Sequence, residues 1–359
     1  MKSRRVRVLV VDDSPFVRKV IREVLTAGGL DVVDIARDGL EALEKIERLR
    51  PDVVTLDLMM PHLDGLSVLD ELAKRETRPA VVVVTISGTQ TEAGLDALAR
   101  GAVSLVEKPT ALATQRLYEM KLDLVSAVRA AADARPRLDA LRRARDAPSP
   151  PLERAPRSSA LAIVVVGTST GGPQALTRLL PALPASLPVP VAVALHIPPG
   201  YTELLAQRLD AASELRVVEA SEGLVLEPGT VAIARAGMHL AIARGGAGPI
   251  AHVGFDPLDR PHHPSVDVLF ETAAEAYRHR VLGVVLTGMG SDGLAGARAI
   301  RRRGGRVVTE SESSAIVYGM PRAVHEAGLA TAEAPLSLMA EAILAQLDAQ
   351  APTIGSSAR

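Results

Sequence analysis

The sequence predicts an α/β protein with two domains, each built on a mainly parallel sheet. Its 359 residues are the length of two ordinary domains and too many for one compact core. Short runs of β-branched residues alternate with helix-period stretches, which is typical of repeated strand–helix units. Residues 125–158, rich in Arg, Ala and Pro from about residue 133, interrupt this pattern and predict a linker between the domains.

The first domain is predicted over residues 1–124 and contains five buried-strand patterns. These patterns cover residues 6–11, 32–35, 53–56, 80–85 and 103–106. Alternation with helical stretches predicts a five-stranded, doubly wound parallel sheet. Functional groups of such a sheet are expected at the carboxyl ends of its strands.

Composition excludes several classes of protein. With 41 basic and 42 acidic residues the net charge is −1, so we expect no nucleic-acid partner. The absence of cysteine excludes disulfides, Cys-type zinc sites and a thiol nucleophile. No apolar run approaches the roughly 20 residues that span a bilayer, so we expect a cytoplasmic protein without direct membrane insertion.

Polar residues follow four of the five predicted strands of the first domain. Asp12 and Asp13 end the first strand, Asp57 the third and Thr85 the fourth, and Lys108 follows the fifth. A single Asp in such a place is more often a helix cap. Three carboxylates at one sheet edge suit Mg²⁺, and together with a hydroxyl and an ammonium group they predict phosphoryl transfer to Asp57.

These residues, with the segment DLMMP over 57–61 and Asp64-Gly65, give the first domain its resemblance to the response-regulator receiver family. The resemblance implies a flavodoxin-like fold with Asp57 as the phosphoacceptor. It further implies Mg²⁺ bound by Asp12, Asp13 and Asp57. Thr85 is implied as the switch hydroxyl and Lys108 as the phosphoryl contact.

The second domain is predicted over residues 159–350, followed by a polar tail over 351–359. Buried-strand patterns at 161–166, 189–195 and 281–286 predict a doubly wound, mainly parallel sheet. Short alternating runs over 215–256 predict a small antiparallel hairpin inserted into it.

A Gly-rich turn, GTSTGG over residues 167–172, lies between a predicted strand and a helix start. One interpretation is a phosphate or dinucleotide cradle, although neither a full G-x-G-x-x-G nor a Walker lysine is present. The other is a nucleophile loop that presents Ser169 at the top of the sheet. The sequence motif alone leaves both open.

Two further strand ends carry a possible base and acid. His196 follows the strand that ends at residue 195, and Asp292 lies in a second Gly-rich turn, TGMGSDG over 287–293. A serine, an imidazole and a carboxylate at neighbouring strand ends can form a catalytic triad. Their order, serine, histidine, acid, differs from that of the α/β-hydrolase superfamily.

The second domain resembles the chemotaxis protein-glutamate methylesterase and glutamine deamidase family. The matching segments are GTSTGG (167–172), HIPPG (196–200), PSVDVLF (264–270), TGMGSDG (287–293) and YGMP (318–321). The resemblance implies a serine hydrolase with Ser169 as nucleophile, His196 as base and Asp292 as orienting acid. Thr170 then lies beside the nucleophile, and the Met289 backbone N–H contributes to an oxyanion hole.

The resemblance also implies partners and a function. The substrates are the cytoplasmic helices of methyl-accepting chemoreceptors, a chemotaxis histidine kinase supplies the phosphate, and the catalytic domain needs no cofactor. The alternative is a phosphorylation-controlled binding module without turnover. His262 and His263 could resemble metal ligands, but we expect them in a loop near the substrate entrance.

Overall fold

The computed structural model describes residues 5–85, 90–108, 123–135, 160–246 and 248–348. It contains two α/β domains, each with a parallel sheet between helices. The predicted fold class is confirmed.

The first domain is a five-stranded parallel sheet in the order β2-β1-β3-β4-β5. Its strands are β1 (Arg7–Val11), β2 (Asp31–Ala36), β3 (Val53–Leu56), β4 (Ala80–Thr85) and β5 (Ser104–Glu107). Each begins and ends within one residue of its predicted position. The three central strands are mostly apolar and almost wholly buried, as expected for a sheet covered on both faces.

Helices cover both faces of this sheet. They are α1 (Pro15–Ala27), α2 (Gly39–Leu49), α3 (Gly65–Ala73), α4 (Thr91–Ala99) and a helix described over residues 123–135, here α5. Ser14, Asp38 and Asp64 cap α1, α2 and α3, each accepting a hydrogen bond from a backbone N–H of the first turn. These side chains satisfy donors that a helix start leaves unpaired.

The predicted end of the first domain falls inside α5. Leu124, Val128, Ala131 and Ala134 are buried in the apolar cluster on β1 and β4. The packed core of the first domain therefore extends at least to Ala134, ten residues beyond the predicted boundary at 124. The rest of the predicted linker, over 136–158, lies outside the described residues.

The second domain contains a seven-stranded sheet in the order β14-β13-β12-β6-β7-β9-β8, and every neighbouring pair is parallel. The strands are β6 (Ile163–Thr168), β7 (Val191–Leu195), β8 (Arg216–Glu219), β9 (Thr230–Ile233), β12 (Val281–Val285), β13 (Arg306–Glu310) and β14 (Ala332–Ala334). The helices are α6 (Gly172–Leu179), α7 (Thr202–Ala212), α8 (Val266–Tyr277), α9 (Leu294–Arg302), α10 (Met320–Glu326) and α11 (Met339–Asp348).

The predicted small antiparallel hairpin is confirmed, but it occupies only part of residues 215–256. Only β10 (His239–Arg244) and β11 (Pro249–Gly254) form an antiparallel hairpin, whereas β8 and β9 join the edge of the parallel sheet. Val217, Val231 and Ile233 are buried against the main core. This burial accounts for the difference, because the apolar side chains of β8 and β9 are covered only within the larger sheet.

Within the described ranges, no helix is both long enough and apolar enough to cross a membrane.

The two domains contact each other through α4 of the first domain and through α6 and α7 of the second. The side-chain amide nitrogen of Gln174, Nε2, donates a hydrogen bond to the Ala102 carbonyl oxygen over 2.7 Å. Arg208 and Asp96 form an ion pair at 2.7 Å. Apolar side chains of both domains, including Leu98 and Leu205, belong to one buried cluster. The domains are therefore packed together as well as linked through the chain.

Candidate active site and phosphorylation pocket

The three candidate triad residues lie at the carboxyl ends of three adjacent strands, β12, β6 and β7. The Ser169 N–H donates to the Thr287 carbonyl oxygen, 3.0 Å away, and the His196 N–H donates to the Thr168 carbonyl oxygen, 3.1 Å away. These backbone bonds continue the sheet pairing past the ends of the strands. They bring the serine turn, the histidine and the second Gly-rich turn to one edge of the sheet.

His196 and Asp292 form a direct hydrogen bond. His196 Nε2 lies 2.9 Å from Asp292 Oδ2, and both side chains are largely buried. Because Nε2 is committed to the carboxylate, Nδ1 is the nitrogen available as a base. Within the described residues no hydrogen bond joins Ser169 Oγ to His196. Such contacts are often long before a substrate binds.

The start of α8 binds the Asp292 carboxylate. The Ser265 hydroxyl donates to Oδ1 over 3.0 Å, and the backbone N–H groups of Val266 and Asp267 donate over 2.8 and 2.9 Å. Burial alone raises the pKa of this carboxyl. The hydrogen bond and charge of His196 and the two N–H donors outweigh burial, and they hold the pKa of Asp292 below its usual range.

Two further residues support this arrangement and were not singled out from the sequence. Buried His239 accepts a hydrogen bond from the Ser265 N–H at Nδ1, and its Nε2 contacts the Pro257 carbonyl oxygen. Asp267 accepts from the N–H groups of Gly293 and Gly296 and so holds the turn that carries the acid. Burial raises the pKa of Asp267 to about 6. The sequence offers one signal for this region: Ser265 stands before an apolar run, and a serine in that place predicts a helix cap.

The turn around Ser169 leaves backbone donors free. Gly171 has a φ of +81°, a conformation that glycine adopts without strain. A Cβ on Gly288 would lie 2.9 Å from the Cβ of Ser169, so a glycine permits this close approach. Within the described residues, the N–H groups of Thr170 and Met289 have no hydrogen-bond partner. Both are therefore free to bind a negatively charged oxygen.

A buried glutamate that the sequence did not predict as a site residue holds the second Gly-rich turn. Glu310, at the end of β13, is fully buried. It accepts hydrogen bonds of 2.8 Å from the Thr287 N–H and from the Ser314 hydroxyl. Burial raises the pKa of Glu310 to about 7, although these donors and the charge of Arg178 oppose the shift. An acid at the end of a buried strand was the only sequence signal for it.

His262 and His263 lie at the same edge, as expected for a loop near the entrance. The His262 ring stacks on His196 and the His263 ring contacts His239. Within the described part of the chain, the acidic group of the first domain is the only cluster arranged to hold a metal ion.

The acidic residues of the first domain form a second site. Carboxylate oxygens of Asp12, Asp13 and Asp57 lie within 4.8 Å of one another. The Lys108 ammonium lies 2.7 Å from Asp57 and 3.0 Å from Asp12. Burial raises the pKa of both Asp12 and Asp57, although Lys108 opposes the shift. Three hard oxygen donors at this spacing fit Mg²⁺, which would offset the negative charge.

Thr85 lies at the boundary between this pocket and the second domain. Its buried hydroxyl donates to Gln90 Oε1 over 2.6 Å. Tyr201, which precedes α7, is fully buried beside it. A Cβ on Gly94 would lie 2.6 Å from the Tyr201 ring, so this glycine makes room for the tyrosine. Burial raises the pKa of Tyr201, and the nearby Thr85 hydroxyl opposes this rise, although no hydrogen bond of standard geometry reaches the Tyr201 hydroxyl within the described residues.

Comparisons with known proteins agree with this architecture. Residues 164–343 match the family model for the CheB methylesterase, and residues 8–120 match that for the response regulator receiver domain. The chain is 59% identical, over 93% of its length and 96% of the relative, to protein-glutamate methylesterase/protein-glutamine glutaminase 5 of Myxococcus xanthus. It is 38% identical to the protein-glutamate methylesterase/protein-glutamine glutaminase of Desulfitobacterium hafniense, over 94% of this chain and 97% of that one.

A solved structure agrees as well. The CheB methylesterase catalytic domain of Thermotoga maritima is 38% identical and superposes with a TM-score of 0.50, covering 52% of this chain and 98% of that domain. From these matches and the fold, the chain belongs to the CheB methylesterase family, with a response-regulator receiver domain in front of its catalytic domain.

Proposed function

We propose that this protein hydrolyses glutamate methyl esters and deamidates glutamines on the cytoplasmic helices of chemoreceptors, under the control of its receiver domain. The names of the two relatives support both activities. The observation that carries the proposal is the convergence of Ser169, His196 and Asp292 at adjacent strand ends of a matching catalytic domain.

The proposed reaction begins with attack by Ser169 Oγ on the side-chain carbonyl carbon of the methylated glutamate. His196 Nδ1 accepts the serine proton, and Asp292 stabilises the resulting imidazolium. The free Met289 N–H, beside Thr170, supports an oxyanion hole that stabilises the negative oxygen of the tetrahedral intermediate. His196 then returns the proton to the departing methoxide, and methanol leaves.

Water completes the cycle. His196 removes a proton from the water that attacks the acyl-serine, and it returns that proton to Ser169 Oγ as free glutamate is released. A glutamine substrate follows the same steps with ammonia as the first leaving group. Only oxygen, nitrogen and backbone groups of the chain take part in these steps.

In the receiver domain, we propose Asp57 as the phosphoacceptor and a chemotaxis histidine kinase as the donor. Bound Mg²⁺, held by Asp12, Asp13 and Asp57, would neutralise charge on the carboxylates and on the incoming phosphoryl group. An Asp57 oxygen bonds to phosphorus as the bond to the donor breaks. The Lys108 ammonium then pairs with the phosphoryl oxygens, while the Thr85 hydroxyl would leave Gln90 and donate to one of them.

The proposed control acts through the contact between the domains. A cavity of about 300 Å³ between them reaches Gly171 and Thr287, next to the serine turn. Since α4 lies beside this turn, the packed receiver would obstruct a bulky receptor helix. Phosphorylation would then favour a released arrangement.

The test is methanol release from methylated receptor membranes. We expect release by the wild type that rises with a small phosphodonor and Mg²⁺, and almost none by Ser169→Ala. The control, Asp57→Asn, should keep the basal rate and lose the phosphodonor effect. Full release by Ser169→Ala would contradict the serine mechanism, whereas binding of receptors without release would favour a binding module.

A further inference from the structure

The loop between β11 and α8 carries two adjacent histidines that contact two different histidines of the domain. The ring centroids of His262 and His196 are 4.2 Å apart, and the rings are stacked with an interplanar angle of 24°. The rings of His263 and His239 are 4.3 Å apart and tilted by 34°. The loop therefore packs against the proposed base and against the histidine that supports the acid.

The hydrogen bond at Nε2 does not by itself fix the plane of the His196 ring. Nε2 is held 2.9 Å from Asp292 Oδ2, yet the imidazole plane can still rotate about an axis that runs along the side chain to this hydrogen bond. Such a turn would change the direction of Nδ1, the nitrogen proposed to accept the serine proton. A flat ring in van der Waals contact with one face, as His262 provides, limits the turn.

The electrostatic surroundings suit this contact. The charged or titratable groups that face His262 are His196, Asp292 and His263, and burial, followed by the charge of His196, lowers the pKa of His262 to about 4. His262 is therefore neutral near pH 7. It adds no positive charge beside His196 when that ring accepts a proton from the nucleophile.

His262 also shields the proposed base from water. The His196 side chain is only 13% exposed, although it lies at the edge of the sheet. The ring of His262 is partly desolvated where it stacks on His196, but the residue as a whole is exposed in the surface loop, so it forms the outer layer over His196.

We propose that His262 is a positioning residue, whose ring stacks on His196 and so directs Nδ1 toward Ser169. It acts by contact between two flat rings, without a hydrogen bond or proton transfer of its own. This inference rests on the proposed function, because it assigns a role within the same reaction.

The test uses the full-length protein and methanol release, with kcat and KM measured separately. We expect His262→Ala to lower kcat by roughly tenfold, since small misplacements of reacting groups are costly, and to leave KM within about twofold. His262→Phe, which keeps a flat ring, should recover most of the rate. His262→Gln, which keeps hydrogen bonding without a ring, should resemble His262→Ala. The exposed His252 on β11 gives a control, and His252→Ala should match the wild type.

Three outcomes would overturn the proposal. Wild-type kcat in all three variants would mean that the stack does not matter. Recovery by Gln but not by Phe would assign a hydrogen-bonding role, and a raised KM with unchanged kcat would assign substrate binding. Thermal melting of each variant separates these outcomes from misfolding.

The failure of the proposed function would look different. In that case the wild type releases no methanol, or Ser169→Ala releases it equally fast. The stack is then tested by NMR, through the ring-current shift of the His196 Cε1–H. We expect that resonance to move in His262→Ala and to move back toward its wild-type position in His262→Phe. An unchanged resonance in His262→Ala would overturn the proposal.

Discussion

The receiver pocket and the serine site both place carboxylates at the carboxyl ends of parallel strands, but they treat the charge in opposite ways. Asp57 is buried with Asp12 nearby and a single cation, Lys108, between them, and burial raises its pKa. Asp292 is also buried, yet one imidazole, one hydroxyl and two backbone N–H groups bind it, and its pKa is lowered.

This difference in how the carboxylate charge is satisfied suits the different chemistry proposed for each site. The donors around Asp292 suit the proposed triad, because an orienting acid must stay charged throughout the reaction. The pocket around Asp57 carries more negative charge than Lys108 can offset, which suits the proposed binding of Mg²⁺. The same position in a sheet can therefore hold a carboxylate whose charge is satisfied by the protein or one whose charge favours a bound cation.

The same substitution in the two sites should separate these cases. We expect Asp292→Asn to lower methanol release by about 10³-fold or more, since the triad loses the charge that stabilises the imidazolium. It should also lower the free energy of unfolding by about 2 kcal/mol, because buried donors lose a charged acceptor. Asp57→Asn without Mg²⁺ should raise the melting temperature at pH 7.5, since the buried charge is removed.

The two aspartates should change the stability of the protein in opposite directions as pH falls. The lowered pKa of Asp292 stabilises the fold above the unfolded pKa of Asp, and this contribution is lost as pH falls. The raised pKa of Asp57 does the reverse, so the advantage of Asp57→Asn should vanish in acid. Asp64→Asn, which keeps the cap of α3, is the control. A fall in melting temperature for both site variants at pH 7.5 would contradict the comparison.

The sequence predicts the parts of both sites that follow from the order of strands. Near-continuous apolar runs define β1, β3, β4 and β6, because strands covered on both faces have few polar positions. Residues directly after such runs must meet at one sheet edge, and this is why Asp57 and Ser169 could be singled out. The boundary at 124 was harder, since α5 is rich in Ala and Arg and resembles a linker in composition.

The supporting contacts could not be predicted in the same way. Ser265, His239 and Glu310 act on residues that are distant in sequence, across α8, the hairpin and β13. No local pattern records which strand end a side chain will meet. The position of β8 and β9 was missed for the same reason, since short alternating runs fit a hairpin and a sheet edge equally well.

Glu310 extends the comparison to the catalytic domain, because it is a buried acid of that domain whose pKa is raised, like that of Asp57 in the receiver. Its pKa of about 7 lies above the ordinary value, so the buried carboxyl stabilises the fold when protonated. That stability is complete below pH 4.5 and is lost as pH rises to about 7. We expect the stability of the wild type relative to Glu310→Gln to fall by roughly 3 kcal/mol over this range, at about 1.4 kcal/mol per pKa unit.

Urea unfolding of both proteins at pH 5 and pH 8 measures this change. Glu312→Gln is the matched control, since Glu312 is two residues away and its side chain is 58% exposed. It should show no such pH dependence. A constant difference between wild type and Glu310→Gln at both pH values would mean that Glu310 does not titrate in this range.

The smallest expected effect lies between the two sites, at Tyr201. Its hydroxyl is buried, and Thr85 lies close enough to oppose the rise in its pKa that burial causes. No hydrogen bond of standard geometry reaches this hydroxyl within the described residues, and a poorly satisfied buried hydroxyl costs about 1 kcal/mol or more. Tyr201→Phe should therefore favour the packed domains and lower methanol release without phosphodonor by about fivefold, the factor that 1 kcal/mol represents. Tyr201→Ala should instead raise that release, because it removes the ring that packs on Gly94.

Tyr277 offers a matched control for this last pair. Its hydroxyl is also buried, and no hydrogen bond of standard geometry reaches it within the described part of the chain, but it lies on α8, in the cluster on the other face of the catalytic sheet. If Tyr277→Phe changed the basal rate as much as Tyr201→Phe, the effect would come from general stability. A change confined to Tyr201 would instead mean that the receiver pocket and the serine site are coupled through this one buried ring, since it is packed in the catalytic domain and touches α4 of the receiver.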